Sequence, residues 1–119
     1  VILKRITARP LMRFIGNGLW MLEEPFVYHV GSENSNDVIT VERGFVTDFA
    51  SVPRIFWAFY PPHGSYALAA VVHDYLCVTR TRSSVEAARI FREAMEVLGV
   101  PWARRQLLYA AVRAFGPRF

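Results

Sequence analysis

Along residues 38–43 the chain alternates, with Val38, Thr40 and Glu42 set against Ile39, Val41 and Arg43. That two-residue period predicts a strand. Just upstream, LWMLEEPFVYHV (residues 19–30) is rich in the β-branched and aromatic side chains that suit a pleated surface. Glu23-Glu24-Pro25 interrupts it as a break or bulge, because proline cannot donate to a ladder. Between the two patterns lies GSENSND, residues 31–37, made of residues that tolerate tight backbone angles. Residues 26–30 and 38–43 are therefore predicted to pair as a hairpin around a long exposed loop, with Gly44 as a bulge.

After residue 50 the pattern changes to helical spacing. Pro53 suits the first turn of a short helix through RIFWAFY, which Pro61-Pro62 stops. Gly64-Ser65 opens a second helix carrying YALAA and VVHDYLC. Ser83-Ser84-Val85-Glu86 reads as a capping box, with Ser83 as N-cap and Glu86 three residues on. Val85, Ala88, Phe91, Met95 and Leu98 then mark one helical face, and Gly99 closes the helix. Pro101 starts a last helix through WARRQLLYAAVRAF, ended by Gly116-Pro117. Strands followed by helices predict an α+β fold, N-terminal antiparallel strands packed against three to four C-terminal helices. Residues 1–119 are expected to form a single domain, strand-rich over 1–50 and helical over 51–119.

Composition adds a globular character. The chain is 53% hydrophobic and 14% aromatic, and Trp20, Trp57 and Trp102 are assigned mostly to the core. No apolar run approaches the roughly 20 residues that span a bilayer. Lys4, Arg5, Arg9, Pro10 and Arg13 leave no room for the apolar stretch of a signal peptide. A single cysteine, Cys77, excludes an intramolecular disulfide and fits a reducing compartment. The net charge of +4 is uneven, because residues 80–119 hold eight arginines against three glutamates. Such a half could face nucleic acid or an acidic partner, or simply form a solvated helical surface. The lysine runs and aromatic-interleaved basic motifs of nucleic-acid binders are lacking, so the solvated surface is the stronger expectation over a nucleic-acid site, and a host or phage protein is the candidate partner.

Candidate chemistry begins at VVHDYLC. His73 and Asp74 stand side by side in an apolar run, where an unpaired charge would be costly. On a helix they diverge by about 100°, yet both can reach one ion or ligand over the edge between them. The competing reading is that both fasten the strand half to the helices. In GFVTDFASVPR, Asp48 falls where the strand pattern ends, placed either to cap the helix at Pro53 or to point into a cleft. Ser51 is a second capping candidate, and Arg54 an ion-pair partner for either aspartate. Asp48, His73 and Asp74 form the candidate catalytic set, and the same three the candidate ligands for a divalent ion such as Zn²⁺ or Mn²⁺. His63 is a further ligand candidate, while His29 reads as a surface residue at a strand end. Cys77 is four residues from His73, within reach as thiol and base, although a cysteine in so apolar a helix is more often inert core.

The ordered motifs GFVTDFASVPR, FWAFYPP, YALAAVVHDYLC and FREAMEVLGV resemble a family of small bacteriophage and prophage proteins, over roughly residues 19–116. The resemblance implies one compact domain of phage origin, acting in the host cytoplasm or as part of the virion, with no defined activity. Asp48, His73 and Asp74 match its motifs. An aspartate that the resemblance implies on the following helix is Ala88 here, which weakens a metal site. The HD pair also invites comparison with metal-dependent HD phosphohydrolases, but no aspartate follows Asp74, so their downstream ligand is missing. Two classes of function stay open. One is a small hydrolase built on Asp48, His73 and Asp74, with or without metal; the other is a non-enzymatic virion, tail-accessory or host-factor-binding protein with that cluster as a clasp.

Overall fold

The computed structural model describes residues 12–48 and 67–119. The helix expected through RIFWAFY, with Ser51, Arg54, Trp57 and His63, lies outside the described residues. The chain divides into two compact units between residues 48 and 49, close to where strand periodicity gives way to helical periodicity.

The first unit holds β1 (Met12–Gly16), β2 (Leu19–Leu22), β3 (Phe26–His29), β4 (Val38–Val41) and β5 (Val46–Thr47), paired antiparallel in the orders β1-β2-β5 and β3-β4. The two sheets share one register. Trp20 faces Thr47, and six residues further along each arm Phe26 faces Val41. They are thus one long hairpin interrupted where Glu23-Glu24-Pro25 breaks the first arm. On the other arm the interruption is a tight turn, with the Phe45 N–H donating to the Glu42 carbonyl at 3.2 Å. The Gly44 N–H donates to the Leu22 carbonyl, and the Leu22 N–H to the Phe45 carbonyl, so Gly44 and Phe45 together oppose Leu22. This is the expected bulge, and its first residue has φ +89°, the region that favours glycine. Beyond it the alternation holds: Phe26, Tyr28, Ile39 and Val41 share a buried face while Val38 and Thr40 are exposed.

At the other end of the described part of the first unit lies a hairpin that periodicity did not disclose. Asn17 and Gly18, both at positive φ, connect β1 to β2. An Asn-Gly pair between strands is the turn whose twist matches theirs. Trp20 is half-buried in this sheet, with its ring 5.3 Å from that of Phe14.

The second unit holds three helices among its described residues, α1 (Ala67–Thr79), α2 (Ser84–Val97) and α3 (Trp102–Phe115). Helix α2 packs against both α1 and α3. The order of antiparallel strands followed by helices is the α+β arrangement expected. Local chemistry sets each helix end. The Ser83 hydroxyl accepts from the Glu86 N–H at 3.2 Å, as predicted, but the Glu86 carboxylate turns to Arg82 at 3.4 Å instead of back to the Ser83 amide. At the other end of α2, Gly99 has φ +83°, and its N–H and that of Val100 donate to Glu96 and Met95. Val100 and Met95 are both buried, so the helix stops with the paired bonds and apolar contact of a Schellman motif.

Two expectations need correction. The buried face of α2 is Ala87, Ala88, Ile90, Phe91, Ala94, Met95 and Val97; Val85 is 38% exposed and Leu98 only half-buried. The helix is packed on two sides, so its apolar stripe is broader than a single i, i+3, i+4 row and its ends lie at the rim. Trp102 is not core: it is 67% exposed at the start of α3, whose buried residues are Leu108, Ala111 and Val112.

Candidate functional site

Helix α1 positions the histidine–aspartate step. From Ala69 to Asp74 every residue is buried, and so is Leu76, because the segment presents no polar stripe for water. His73 is 3% exposed and Asp74 7%. The burial that the apolar run around His73 and Asp74 predicts, two desolvated polar neighbours on one helix, is therefore real in the folded chain.

The imidazole of His73 meets two groups among the described residues. Its ring centroid lies 5.1 Å from that of Phe91 on α2, tilted by 36°, which makes it part of the α1–α2 packing. The Cys77 sulfur lies 3.9 Å from both ring nitrogens. Equal distances to Nδ1 and Nε2 mean that the sulfur aligns with neither N–H direction, so the contact is a loose one. Burial pushes the ring down to about 4, so at neutral pH it is uncharged. Cys77 is driven the opposite way, up to about 12, by burial first and then by the negative charge of Asp74 one turn earlier, against a smaller pull from Arg80. A thiol so held is protonated at neutral pH. The four-residue spacing does bring Cys77 to His73, but as a contact of two neutral groups, not as an activated nucleophile.

Asp48 follows β5 directly and is exposed, at the strand end where sequence placed it. It closes the first unit, whereas His73 and Asp74 belong to the second. Ser51, Arg54 and His63 lie outside the described residues. Within either unit, no three described side chains of His, Cys, Asp or Glu gather around one point where a metal ion could sit. Ala88, the position where the resemblance implies a carboxylate, is buried on the face of α2 that also carries Phe91.

His29 is not the plain surface residue expected. It is half-buried at the end of β3, and its Nδ1 lies 3.0 Å from the Ser35 carbonyl, which fixes that nitrogen as the donor. With the Val30 N–H on the Asp37 carbonyl, the Ser35 N–H on Ser32 and the Asp37 N–H on the Ser35 hydroxyl, the polar loop is tied across its width. The signal was available: a histidine six residues from a Ser-Asn-Asp cluster can latch a loop of that length.

Most of the C-terminal arginines have structural partners. Arg82 pairs with Glu86. Arg105 reaches Glu96 at 3.9 Å and donates to the Val100 carbonyl at 3.1 Å. Arg92 lies 4.1 Å above the Tyr109 ring, tying α2 to α3, and Arg80 lies 5.2 Å from the Phe119 ring. The excess of positive charge is thus partly spent on holding helices together.

What the geometry defines is an α+β chain with an exposed hairpin loop latched by the half-buried His29 in its first unit and a buried histidine–aspartate step on a packed helix of its second. The chain belongs to the DUF1353 family, described as proteins of unknown function, whose match runs over residues 20–112 and so takes in Asp48, His73 and Asp74. It is similar to uncharacterized protein y4jT of Sinorhizobium fredii (strain NBRC 101917 / NGR234), 38% identical over 79 residues, covering 65% of this chain and 24% of that protein. It is also similar to uncharacterized protein y4iH of the same strain, 39% identical over 75 residues, covering 61% of this chain and 31% of that protein. The match thus spans less than a third of the length of either relative. No solved structure matches it. No described helix is long and apolar enough to cross a membrane.

Proposed function

We propose that this is a phage-derived, non-catalytic binding domain, a virion or tail-accessory component or a binder of a host protein, acting in the host cytoplasm or the virion. In this reading His73 and Asp74 serve as an internal clasp. The observation that carries it is the burial of the pair, with His73 at 3% exposure against Phe91. A general base must come within hydrogen-bond reach of a substrate proton, and a ring sealed into a helix interface has no such approach. A pKa near 4 also leaves the ring a weak base and no acid at neutral pH. The phage origin rests on the TDFASVP and AVVHDYL motifs.

A second reading has one observation in its favour. An uncharged imidazole beside a carboxylate is the protonation state that a divalent ion requires, so a hydrolase using Asp48, His73 and Asp74 with Zn²⁺ or Mn²⁺ is the alternative. His63 would be a further candidate donor in this reading, and Arg54 and Ser51 further candidate polar groups.

Thermal melts of the full chain with and without Zn²⁺, Mn²⁺ and Mg²⁺, beside turnover of a phosphodiester and of peptidoglycan, separate the two. The binding reading expects no metal-dependent rise in Tm and no turnover above that of Asp48→Ala. A metal-induced rise that His73→Phe abolishes, or turnover that a folded Asp48→Ala loses, would establish the hydrolase instead.

A further inference from the structure

The asparagines of the chain are Asn17, Asn34 and Asn36, and all of them lie in turns of the first unit. Asparagine is chemically labile, because the backbone nitrogen of the next residue can attack its side-chain amide carbon. All three side chains are exposed, so what separates the sites is the state of the attacking nitrogen. The Ser35 N–H, which follows Asn34, donates to the Ser32 carbonyl at 3.1 Å. The Asp37 N–H, which follows Asn36, donates to the Ser35 hydroxyl at 3.0 Å. Both nitrogens also sit in the loop that His29 latches through the Ser35 carbonyl. The Gly18 N–H, which follows Asn17, donates to no group among the described residues. Gly18 also lacks a Cβ that would crowd the attack.

We propose that Asn17 is a site of spontaneous deamidation, with water as the co-reactant. The Gly18 nitrogen bonds to Asn17 Cγ, the Cγ–Nδ2 bond breaks, and ammonia leaves with the Gly18 amide proton. The cyclic imide then takes up water. Cleavage of its Cγ–N bond gives aspartate. Cleavage of the bond from nitrogen to the main-chain carbonyl carbon gives isoaspartate, whose backbone runs through Cβ and Cγ. The turn slows this reaction without blocking it. Asn17 is left-handed, at φ +55°, and the ψ of about +47° that goes with that conformation points the Gly18 nitrogen away from Cβ. One rotation about that bond is needed, and no hydrogen bond of Gly18 has to break first. At Asn34 and Asn36 a bond to the nitrogen must break as well. Either product lowers the net charge of +4 by one. Isoaspartate also lengthens the turn by one backbone atom. A two-residue turn sets the register of its hairpin, so Gly16 and Leu19 lose their facing positions. The pairing that sets Phe14 against Trp20 at 5.3 Å loosens with them. The change runs one way and accumulates with the age of the chain.

The reaction needs only the turn, so it is independent of whether the domain is a binder or an enzyme. The full chain, incubated near neutral pH in buffer and in urea, tests it by peptide mapping and mass spectrometry at each asparagine. The rate in urea corrects each site for the intrinsic effect of the residue that follows it. Folding should slow Asn34 and Asn36 at least about tenfold more than it slows Asn17. Both aspartate and isoaspartate should appear at position 17. Equal slowing at all three sites, or an Asn17 that stays intact in the folded chain while it reacts in urea, would overturn the proposal.

Discussion

His73 is the residue on which the account turns, and its chemistry has a measurable consequence. The unfolded ring titrates near 6.5 and the native ring near 4, so between those values the unfolded chain binds the extra proton. The stability linked to this ring is complete above pH 6.5, falls as pH drops through that value, and stops falling below about 4. The full span corresponds to about 3 kcal/mol. Denaturation of wild type and His73→Phe across pH 3.5–7.5 should therefore show the wild type losing stability relative to the variant by about that amount. A constant difference would mean that the ring is not desolvated. Cys77 makes a second residue-scale test. With its thiol at about 12 against 9.0 unfolded, the native thiolate at pH 8 is scarcer by roughly a thousandfold. Alkylation by iodoacetamide should be at least a hundredfold slower in the native chain than in urea.

At the scale of elements, two positions carry conformational costs that can be read singly. Gly99 sits at φ +83° with nothing within 4 Å of where a Cβ would stand, so Gly99→Ala tests backbone conformation alone and should cost about 1 kcal/mol in urea denaturation. Ser83→Ala removes the one side-chain cap of α2 and should cost a similar amount, about 1 kcal/mol. Both features were legible in the sequence because capping depends on a few adjacent residues. The hairpin of residues 26–30 and 38–43 and the bulge at Gly44 were legible for the same reason. The β1–β2 hairpin was missed although Asn17-Gly18 announces it, since Phe14 and Ile15 are both exposed and no alternation marks the strand. The rim positions Val85 and Leu98 and the exposure of Trp102 were not legible, because they depend on which helix packs where. In the candidate site, the burial of His73 and Asp74 followed from the apolar run around them, whereas the ring's contact with Phe91 comes from a helix eighteen residues away.

On the scale of the whole molecule, the charge excess of residues 80–119 leaves nucleic acid open as a partner, although the sequence favours a solvated helical surface. Arg80, Arg82, Arg92 and Arg105 reach Phe119, Glu86, Tyr109 and Glu96 within the chain. Binding of a labelled DNA duplex, followed at 50 mM and 200 mM salt, should accordingly be weak at the lower concentration and lack a steep salt dependence. The broader claim is that a domain of this family can carry a histidine–aspartate motif as an internal fastening and present its outer surfaces to partners. Its most direct test is the pH titration of the His73 imidazole by nuclear magnetic resonance in the intact chain. The account predicts a ring that stays neutral down to about pH 4. A midpoint at or above 6.5 would contradict it, because only a ring open to water or facing a carboxylate would titrate there.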